Sequence, residues 1–120
     1  IKMNLNHAVI DSITNCTLNF KQFLTMKDTI IWKNCSDLTI IIKSKINKLI
    51  LENCKNINIV MSDALIGVEF TKCRNVNLKI KKHKNVNCIE SFRSTVKLNV
   101  YKKDRTNITF FSEKSNITFI

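Results

Sequence analysis

Apolar and polar residues alternate in several short stretches of the chain. In residues 38–43, 57–61 and 76–81, apolar side chains occupy every second position, and many of them are β-branched. A period of two with this composition predicts half-buried β-strands. A helix would need apolar residues at three- and four-residue spacing, which these stretches lack.

The alternating pattern returns every 19 residues. Cys16, Cys35, Cys54 and Cys73 follow one another at this interval, and an asparagine precedes the first three. Apolar columns keep the same interval: Ile30, Leu49, Val68; Trp32, Leu51, Phe70; Leu38, Ile57, Val76; Ile40, Ile59, Leu78; and Ile42, Met61, Ile80. A short period with two or three strands per repeat is typical of a β-solenoid, in which each repeat forms one coil.

The repeat lengthens toward the C-terminal end. Val96, Leu98 and Val100 continue the apolar columns after a step of 20 residues, and Phe92 stands where a fifth cysteine would be. We therefore expect an all-β fold, a right-handed parallel β-helix of about six coils. Its corners would rely on asparagine, which tolerates left-handed backbone conformations. The length suits one domain over residues 1–120.

The charge of the chain favours an acidic partner. Lysine and arginine number 20 against 9 acidic residues, giving a net charge of +11. An acidic protein face, nucleic acid or anionic lipid would each fit this balance. Nucleic acid is unlikely as a partner because Tyr101 is the only aromatic residue suited to stacking in the basic stretches, and arginines are few.

Two features bear on location. No apolar run approaches the length of a membrane span, the densest being residues 38–42. No signal-peptide pattern is visible, and five cysteines in a chain without a leader are expected to be reduced thiols. We therefore expect a cytoplasmic protein.

The residues capable of chemistry do not form a recognisable site. Four stacked cysteines would extend over about 14 Å, whereas zinc ligands gather within about 2.3 Å of one ion. Cys88 lies outside the column, and His7 and His83 are expected at the surface. Neither a triad nor a glycine-rich phosphate loop is present. We expect no metal, no cofactor and no enzymatic activity.

Several segments resemble the C-terminal domain of cyclase-associated protein. Residues 42–47 read Ile-Lys-Ser-Lys-Ile-Asn, where that family has a Lys-Gly-Lys-Ile-Asn turn. Residues 51–55 and 66–70 are similar to its Asp-Asn-Cys and Val-Gly-Ile-Val-Glu segments, and residues 112–117 to its closing stretch. The resemblance covers roughly residues 28–118, and Ser44 departs from it by replacing the family glycine.

The resemblance implies a right-handed parallel β-helix that binds monomeric actin and promotes exchange of its ADP for ATP. Such a module needs no catalytic residues, because preference for one state of its partner is sufficient. Actin is acidic, in agreement with the positive charge. The family also implies a homodimer formed by strand exchange through a C-terminal extension, and the chain stops at Ile120, before that extension.

Two other functions stay open. The sister family, tubulin-binding cofactor C, stimulates a GTPase through an exposed arginine in a Gln-x-Arg-x-His segment. The matching residues 66–70 contain neither arginine nor histidine, and glutamate cannot stabilise the charge of phosphoryl transfer as arginine does. The other alternative is a basic β-solenoid that binds an anionic partner.

The outward columns of the long sheet contain the predicted contacts. They are Thr39, Asn58, Asn77; Ile41, Val60, Lys79; and Lys43, Ser62, Lys81. Exposed isoleucine and valine beside lysines suggest an interface, although scattered surface apolar residues are also common. Lys45 and Asn47 belong to the family turn and could simply hold it. The predicted partner-binding residues are Ile41, Lys43, Lys45, Asn47, Val60, Lys79 and Lys81.

Overall fold

The computed structural model describes residues 2–4, 6–20 and 24–120, with the side chains of residues 2–4 left aside. These described residues form thirteen strands and one 3-10 helix, over Lys102–Asn107. The strands are β1 Lys2–Asn4, β2 His7–Asp11, β3 Thr14–Phe20, β4 Thr29–Lys33, β5 Ser36–Ile42, β6 Ile46–Glu52, β7 Lys55–Met61, β8 Ala64–Thr71, β9 Arg74–Ile80, β10 Cys88–Phe92, β11 Thr95–Asn99, β12 Thr109–Glu113 and β13 Asn116–Phe119.

The strands wind alternately through two sheets. Sheet A has the order β1-β2-β4-β6-β8-β10-β12, and sheet B has the order β13-β11-β9-β7-β5-β3. All pairings are parallel except β1 with β2. The expected all-β parallel β-helix of about six coils is confirmed. Among the described residues, no helix is long and apolar enough to cross a membrane.

The predicted apolar columns stack in register inside the coils. Leu38 pairs with Ile57 and Ile57 with Val76, and the column continues to Val96. In sheet A, Trp32 pairs with Leu51. These side chains belong to one continuous cluster of buried residues. Burial of apolar surface therefore stabilises the fold along the length of the solenoid. The period-two alternation therefore identified the inward face of both sheets.

A two-residue turn, which we call the arc, joins each sheet A strand to the following sheet B strand. Residues 12–13, 34–35, 53–54, 72–73, 93–94 and 114–115 form the six arcs. Their first residues have left-handed backbones, with φ of 55° at Asn34, 51° at Asn53 and 53° at Lys72. Asn56 and Asn75 adopt the same conformation just beyond the arc. The expected role of asparagine is confirmed, although lysine and arginine occupy several of these positions.

The return from sheet B to sheet A, which we call the corner, varies in length. Between successive strands it comprises residues 43–45, 62–63, 81–87 and 100–108, and the described part of the first corner comprises residues 24–28. This variation, together with unequal strand lengths, accounts for the lengthening of the repeat.

The cysteine column was predicted correctly only in part. Cys35, Cys54 and Cys73 are buried in successive arcs, and each thiol donates to the carbonyl two residues earlier, at 3.2, 3.3 and 3.4 Å. Cys16 was assigned wrongly, because it pairs with Leu38 on the inner side of β3. Ile13 occupies the arc position instead, and its carbonyl accepts from Ser36 at 3.2 Å.

Phe92 was also assigned wrongly. It pairs with Thr71 on sheet A, and Ser94 takes the fifth place in the column, where its hydroxyl accepts from the Cys73 amide at 3.0 Å. The long corner 81–87 and the short strand β10 together shift the register relative to a 19-residue step. A uniform period could not locate this position.

Candidate partner-binding surface

The acidic side chains near the corner bind backbone groups. Asp28 accepts from the amide of Thr25 at 2.6 Å, and Asp63 accepts from that of Asn85 at 2.7 Å. Asp104 accepts from the His83 amide at 2.8 Å. These carboxylates satisfy turn donors that would otherwise lack partners. Neighbouring lysines at the corner therefore keep their charge available at the surface.

Ion pairing of the cations is rare. Among the side chains that the structure describes, Lys48 is the only lysine or arginine within 4.0 Å of a carboxylate, at 3.7 Å from Glu69 and 3.8 Å from Glu90. Lys82 and Arg105 contact aromatic rings instead, those of Tyr101 and Phe119. Most of the positive charge is thus available to a partner.

The structure brings three of the predicted residues into one row. Ile41 pairs with Val60 and Val60 with Lys79 on the outer face of β5, β7 and β9. Ile41 and Val60 are half-buried, which corrects the expectation that they are exposed, while Lys79 is exposed. The row is an apolar strip that ends in a positive charge.

The next predicted row is interrupted. Lys43 and Lys81 follow the last residues of β5 and β9, where Lys43 is exposed and Lys81 half-buried. Between them Ser62 is only 4 % exposed, so it does not belong to the outer surface as predicted. The two lysines consequently flank a buried hydroxyl at the entrance to the corner.

Lys45 and Asn47 lie across the corner, at the beginning of sheet A. Lys45 is exposed and Asn47 is half-buried. The Asn47 amide donates to the Asp28 carbonyl at 2.8 Å, and its side chain donates to the Thr29 hydroxyl at 3.2 Å. Asn47 thus binds its coil to the preceding one, which gives it a structural role. A contact role for Asn47 stays a prediction.

Sequence reasoning missed an exposed apolar pair beside this turn. Ile46 pairs with Ala64 and Lys48 with Gly67, so Leu65 and Ile66 bulge out opposite Asn47. Leu65 is 47 % exposed and Ile66 50 %. Bulges redirect side chains and occur often at functional edges. The signal was present in Ala64-Leu65-Ile66, where apolar residues run on without alternation.

Three of the thiols, those of Cys35, Cys54 and Cys88, have raised pKa values, whereas the hydrogen bond with Cys54 lowers the pKa of the buried Cys73 thiol. All five cysteines are free. Burial raises the pKa of Cys35, and a hydrogen bond shared with Cys73 together with burial raises that of Cys54. For Cys88, burial and the nearby Glu90 carboxylate raise the pKa of the thiol. A raised pKa lowers the thiolate fraction, so these three groups are poor nucleophiles at neutral pH.

The described residues contain no group of three or more histidine, cysteine, aspartate or glutamate side chains able to hold a metal ion. His7 and His83 are both exposed. The surface described above is therefore suited to binding by charge and apolar contact.

Comparison with known proteins gives a family. The family model described as adenylate cyclase associated (CAP) C terminal matches residues 2–119. The crystal structure of cyclase-associated protein from Cryptosporidium parvum is similar, with a TM-score of 0.86 and 18 % identity over 99 % of this chain and 77 % of that chain. At this identity the likeness shows the fold. No curated protein matches the chain. Because the family match extends over nearly all residues, the chain belongs to the C-terminal domain family of adenylate cyclase-associated proteins.

Proposed function

We propose that this chain binds monomeric actin and promotes exchange of its bound ADP for ATP. The observation that carries the proposal is the family match over residues 2–119, which supports an actin-binding role. Exchange follows if the module binds more tightly to the actin state that releases nucleotide, since a ligand shifts an equilibrium by its differential affinity. No catalytic group is required.

The outer face of sheet B and the adjoining corner suit such a partner. Ile41 and Val60 supply apolar area, and Lys79 continues their row with a charge. Lys43 and Lys45 project at the corner nearby, close to the exposed pair Leu65 and Ile66. Apolar contacts with a surrounding cationic rim are typical of protein interfaces, and the charge would steer association with an acidic surface.

Regulation of a GTPase is less well supported. Residues 66–70 of strand β8, which resemble the arginine-bearing segment of the sister family, contain no arginine, and the Glu69 carboxylate lies 3.7 Å from the Lys48 ammonium. A carboxylate held by a lysine has the wrong charge to stabilise phosphoryl transfer. A solenoid acting through differential binding to actin requires no such residue.

We further propose that the module acts in the cytoplasm, as a single domain, and forms a homodimer through its last coil. Phe111, Phe119 and Ile120 are 57 %, 45 % and 66 % exposed there. Exposed aromatic and aliphatic side chains of this size favour coverage by another chain. Sedimentation equilibrium of the 120-residue chain would give one mass for a monomer and twice that mass for a dimer.

The decisive experiment measures release of fluorescent nucleotide from monomeric ADP-actin, with and without the chain, at near-physiological salt. The charge-reversal variant Lys43→Glu/Lys45→Glu tests the corner next to the Ile41 row. The matched control Lys102→Glu/Lys103→Glu changes the charge equally in another coil.

We expect faster nucleotide release with the wild-type chain and the control, and at least about a tenfold loss of affinity in the corner variant, as for charged contacts at an interface. Equal effects of both variants would contradict the location of the site. Binding without any change in release would contradict the exchange function, and absence of binding would contradict the whole proposal.

A further inference from the structure

A groove follows the arcs along the solenoid axis, on the opposite edge from the corner. It runs beside the arcs that contain Cys35, Cys54, Cys73 and Ser94, whose small side chains form its floor. These floor residues are buried. Since the arcs are all two residues long, the groove is straight and open over several coils. We call it the arc groove.

The walls of the arc groove are strongly basic. Five cationic residues line it and no acidic residue does: Lys55, Lys72, Arg74, Arg93 and Lys114. All five are exposed, and none lies within 4.0 Å of a carboxylate among the described side chains. Unpaired like charges in one depression repel one another, and an anionic ligand would relieve that repulsion.

The cations form two parallel rows. Lys72, Arg93 and Lys114 are the first residues of successive arcs, and their left-handed backbones have φ of 53°, 49° and 51°. Lys55 and Arg74 are cross-strand partners at the starts of β7 and β9, on the other side of the floor. Neighbouring cations in a row stand about 4.8 Å apart at the backbone, the spacing of paired strands.

We propose that the arc groove binds an extended acidic peptide segment of a protein partner. Side chains of an extended peptide point alternately to opposite sides, and those on one side are about 6.8 Å apart. Successive aspartates or glutamates would therefore reach the two walls in turn. Flexible lysine and arginine side chains span the difference in spacing, and Arg74 and Arg93 can each bind a carboxylate with two hydrogen bonds.

The lining disfavours a nucleic acid. No phenylalanine, tyrosine, tryptophan or histidine borders the groove, so unpaired bases would find no stacking platform. An acidic peptide needs only the cationic walls. This inference does not depend on actin binding.

The test uses the full 120-residue chain and a fluorescein-labelled peptide of ten glutamates, with binding followed by fluorescence anisotropy in about 0.15 M salt, where exposed charges are screened beyond about 8 Å. The arc variant is Lys55→Gln/Arg74→Gln. The matched control is Lys102→Gln/Lys103→Gln, which removes equal charge at exposed positions outside both proposed binding surfaces. A ten-glutamine peptide reports attraction that does not depend on charge.

We expect the arc variant to weaken peptide binding about fivefold to tenfold, as loss of two exposed charge contacts would, and the control to weaken it less than twofold. Equal weakening by both variants would overturn the proposal, as would absence of binding by the wild-type chain. Tighter, arc-dependent binding of a ten-nucleotide single strand would also overturn it in favour of nucleic acid. Lys114→Gln provides a second arc variant if the first does not fold, with a proportionately smaller expected loss.

Discussion

The two edges of the solenoid, the arcs and the corners, differ in how far the length of their turns varies. Every arc contains two residues, whereas the corners range from residues 62–63 to residues 100–108. The arc amides also repeat one hydrogen bond from coil to coil: Asn34 to Glu52, Asn53 to Thr71, Lys72 to Phe92 and Arg93 to Glu113, at 2.9 to 3.0 Å. The arc therefore sets the register of both sheets, and the corner absorbs differences in length.

This division explains where each kind of residue occurs. In four successive arcs a left-handed residue is followed by a small buried one, Cys35, Cys54, Cys73 or Ser94, whereas the first arc has the half-buried Ile13 at that place. The corner is restricted mainly where Asp28, Asp63 and Asp104 satisfy backbone donors. Exposed positions of the corner carry lysines, among them Lys43 and Lys45, which are proposed to contact the partner. The lysines proposed to contact actin thus lie on the edge opposite the arcs that set the register.

The largest difference between the two edges is expected when an arc is lengthened by one residue. We expect a glycine inserted between Asn53 and Cys54 to destabilise the chain by at least roughly 4 kcal/mol or to abolish cooperative unfolding, since a one-residue slip moves each following side chain to the wrong face. Urea unfolding followed by circular dichroism measures this. A glycine inserted between Lys102 and Lys103 should cost less than about 1 kcal/mol. Equal costs would refute the distinction between the edges.

The second change is a substitution at Gly67, near the corner, where the structure leaves no space for a Cβ atom. Gly67 has φ of 145°, and a Cβ there would overlap the carbonyl oxygen of Cys88 in the next coil. Gly67→Ala should destabilise the chain by roughly 3 kcal/mol, through overpacking and backbone strain. Leu65→Ala, two residues away and exposed, should change stability by less than about 0.5 kcal/mol. A Gly67→Ala effect below about 1 kcal/mol would contradict the close approach.

A smaller effect is expected from the left-handed arc residues. Asn53 has φ of 51° and donates from its side chain to that of Asn34 at 2.7 Å. Asn53→Ala should cost about 1–2 kcal/mol, because it loses the hydrogen bond and retains an unfavourable backbone. Asn53→Gly loses only the hydrogen bond and should cost less than about 1 kcal/mol. Equal costs for the two variants would show that the backbone conformation is unimportant.

The smallest effect concerns pH and the buried arc thiols. Burial raises the pKa of the Cys35 thiol in the folded state, whereas the hydrogen bond between Cys54 and Cys73 raises the pKa of the first thiol and lowers that of the second. Above the ordinary thiol pKa of about 8.5, the unfolded chain therefore loses a proton at Cys35 that the folded chain retains, and stability falls as pH rises. Urea unfolding at neutral and alkaline pH measures the slope. The Cys35→Ser variant should show a shallower slope, and an unchanged slope would exclude the Cys35 thiol as its source.

Sequence reasoning succeeded where the repeat is uniform. From Trp32 to Ile80 the strands, the inward columns and the outward rows of Thr39 and Ile41 match the observed register, because alternation and a fixed period together define which face is buried. The row of Ile41, Val60 and Lys79 was located in the same way. The predicted outward row through Ser62 does not match, since Ser62 is buried.

Sequence reasoning failed where the length of the corner changes the number of residues between equivalent positions in successive coils. The Asn15-Cys16 pair imitates an arc in sequence, yet the first coil places Cys16 opposite Leu38. Likewise, the sequence alone could not identify Ser94 instead of Phe92 as the buried arc residue, because this requires knowledge of the lengths of β10 and of the corner before it. The basic rows of the arc groove were hidden for a related reason, since Lys72, Arg93 and Lys114 align only when the arcs are superposed.

The uniform arc also bears on how such genes change in length. The segment from Ser36 to Cys54 is one complete coil, because Cys35 and Cys54 occupy equivalent positions in successive arcs. After an in-frame tandem duplication of this segment, Cys54 would precede a second Ser36 in the same way as Cys35 precedes the first. The added coil would stack on both neighbours through interfaces that already exist. The solenoid can thus gain whole coils in evolution without any change in the residues at which successive coils are joined.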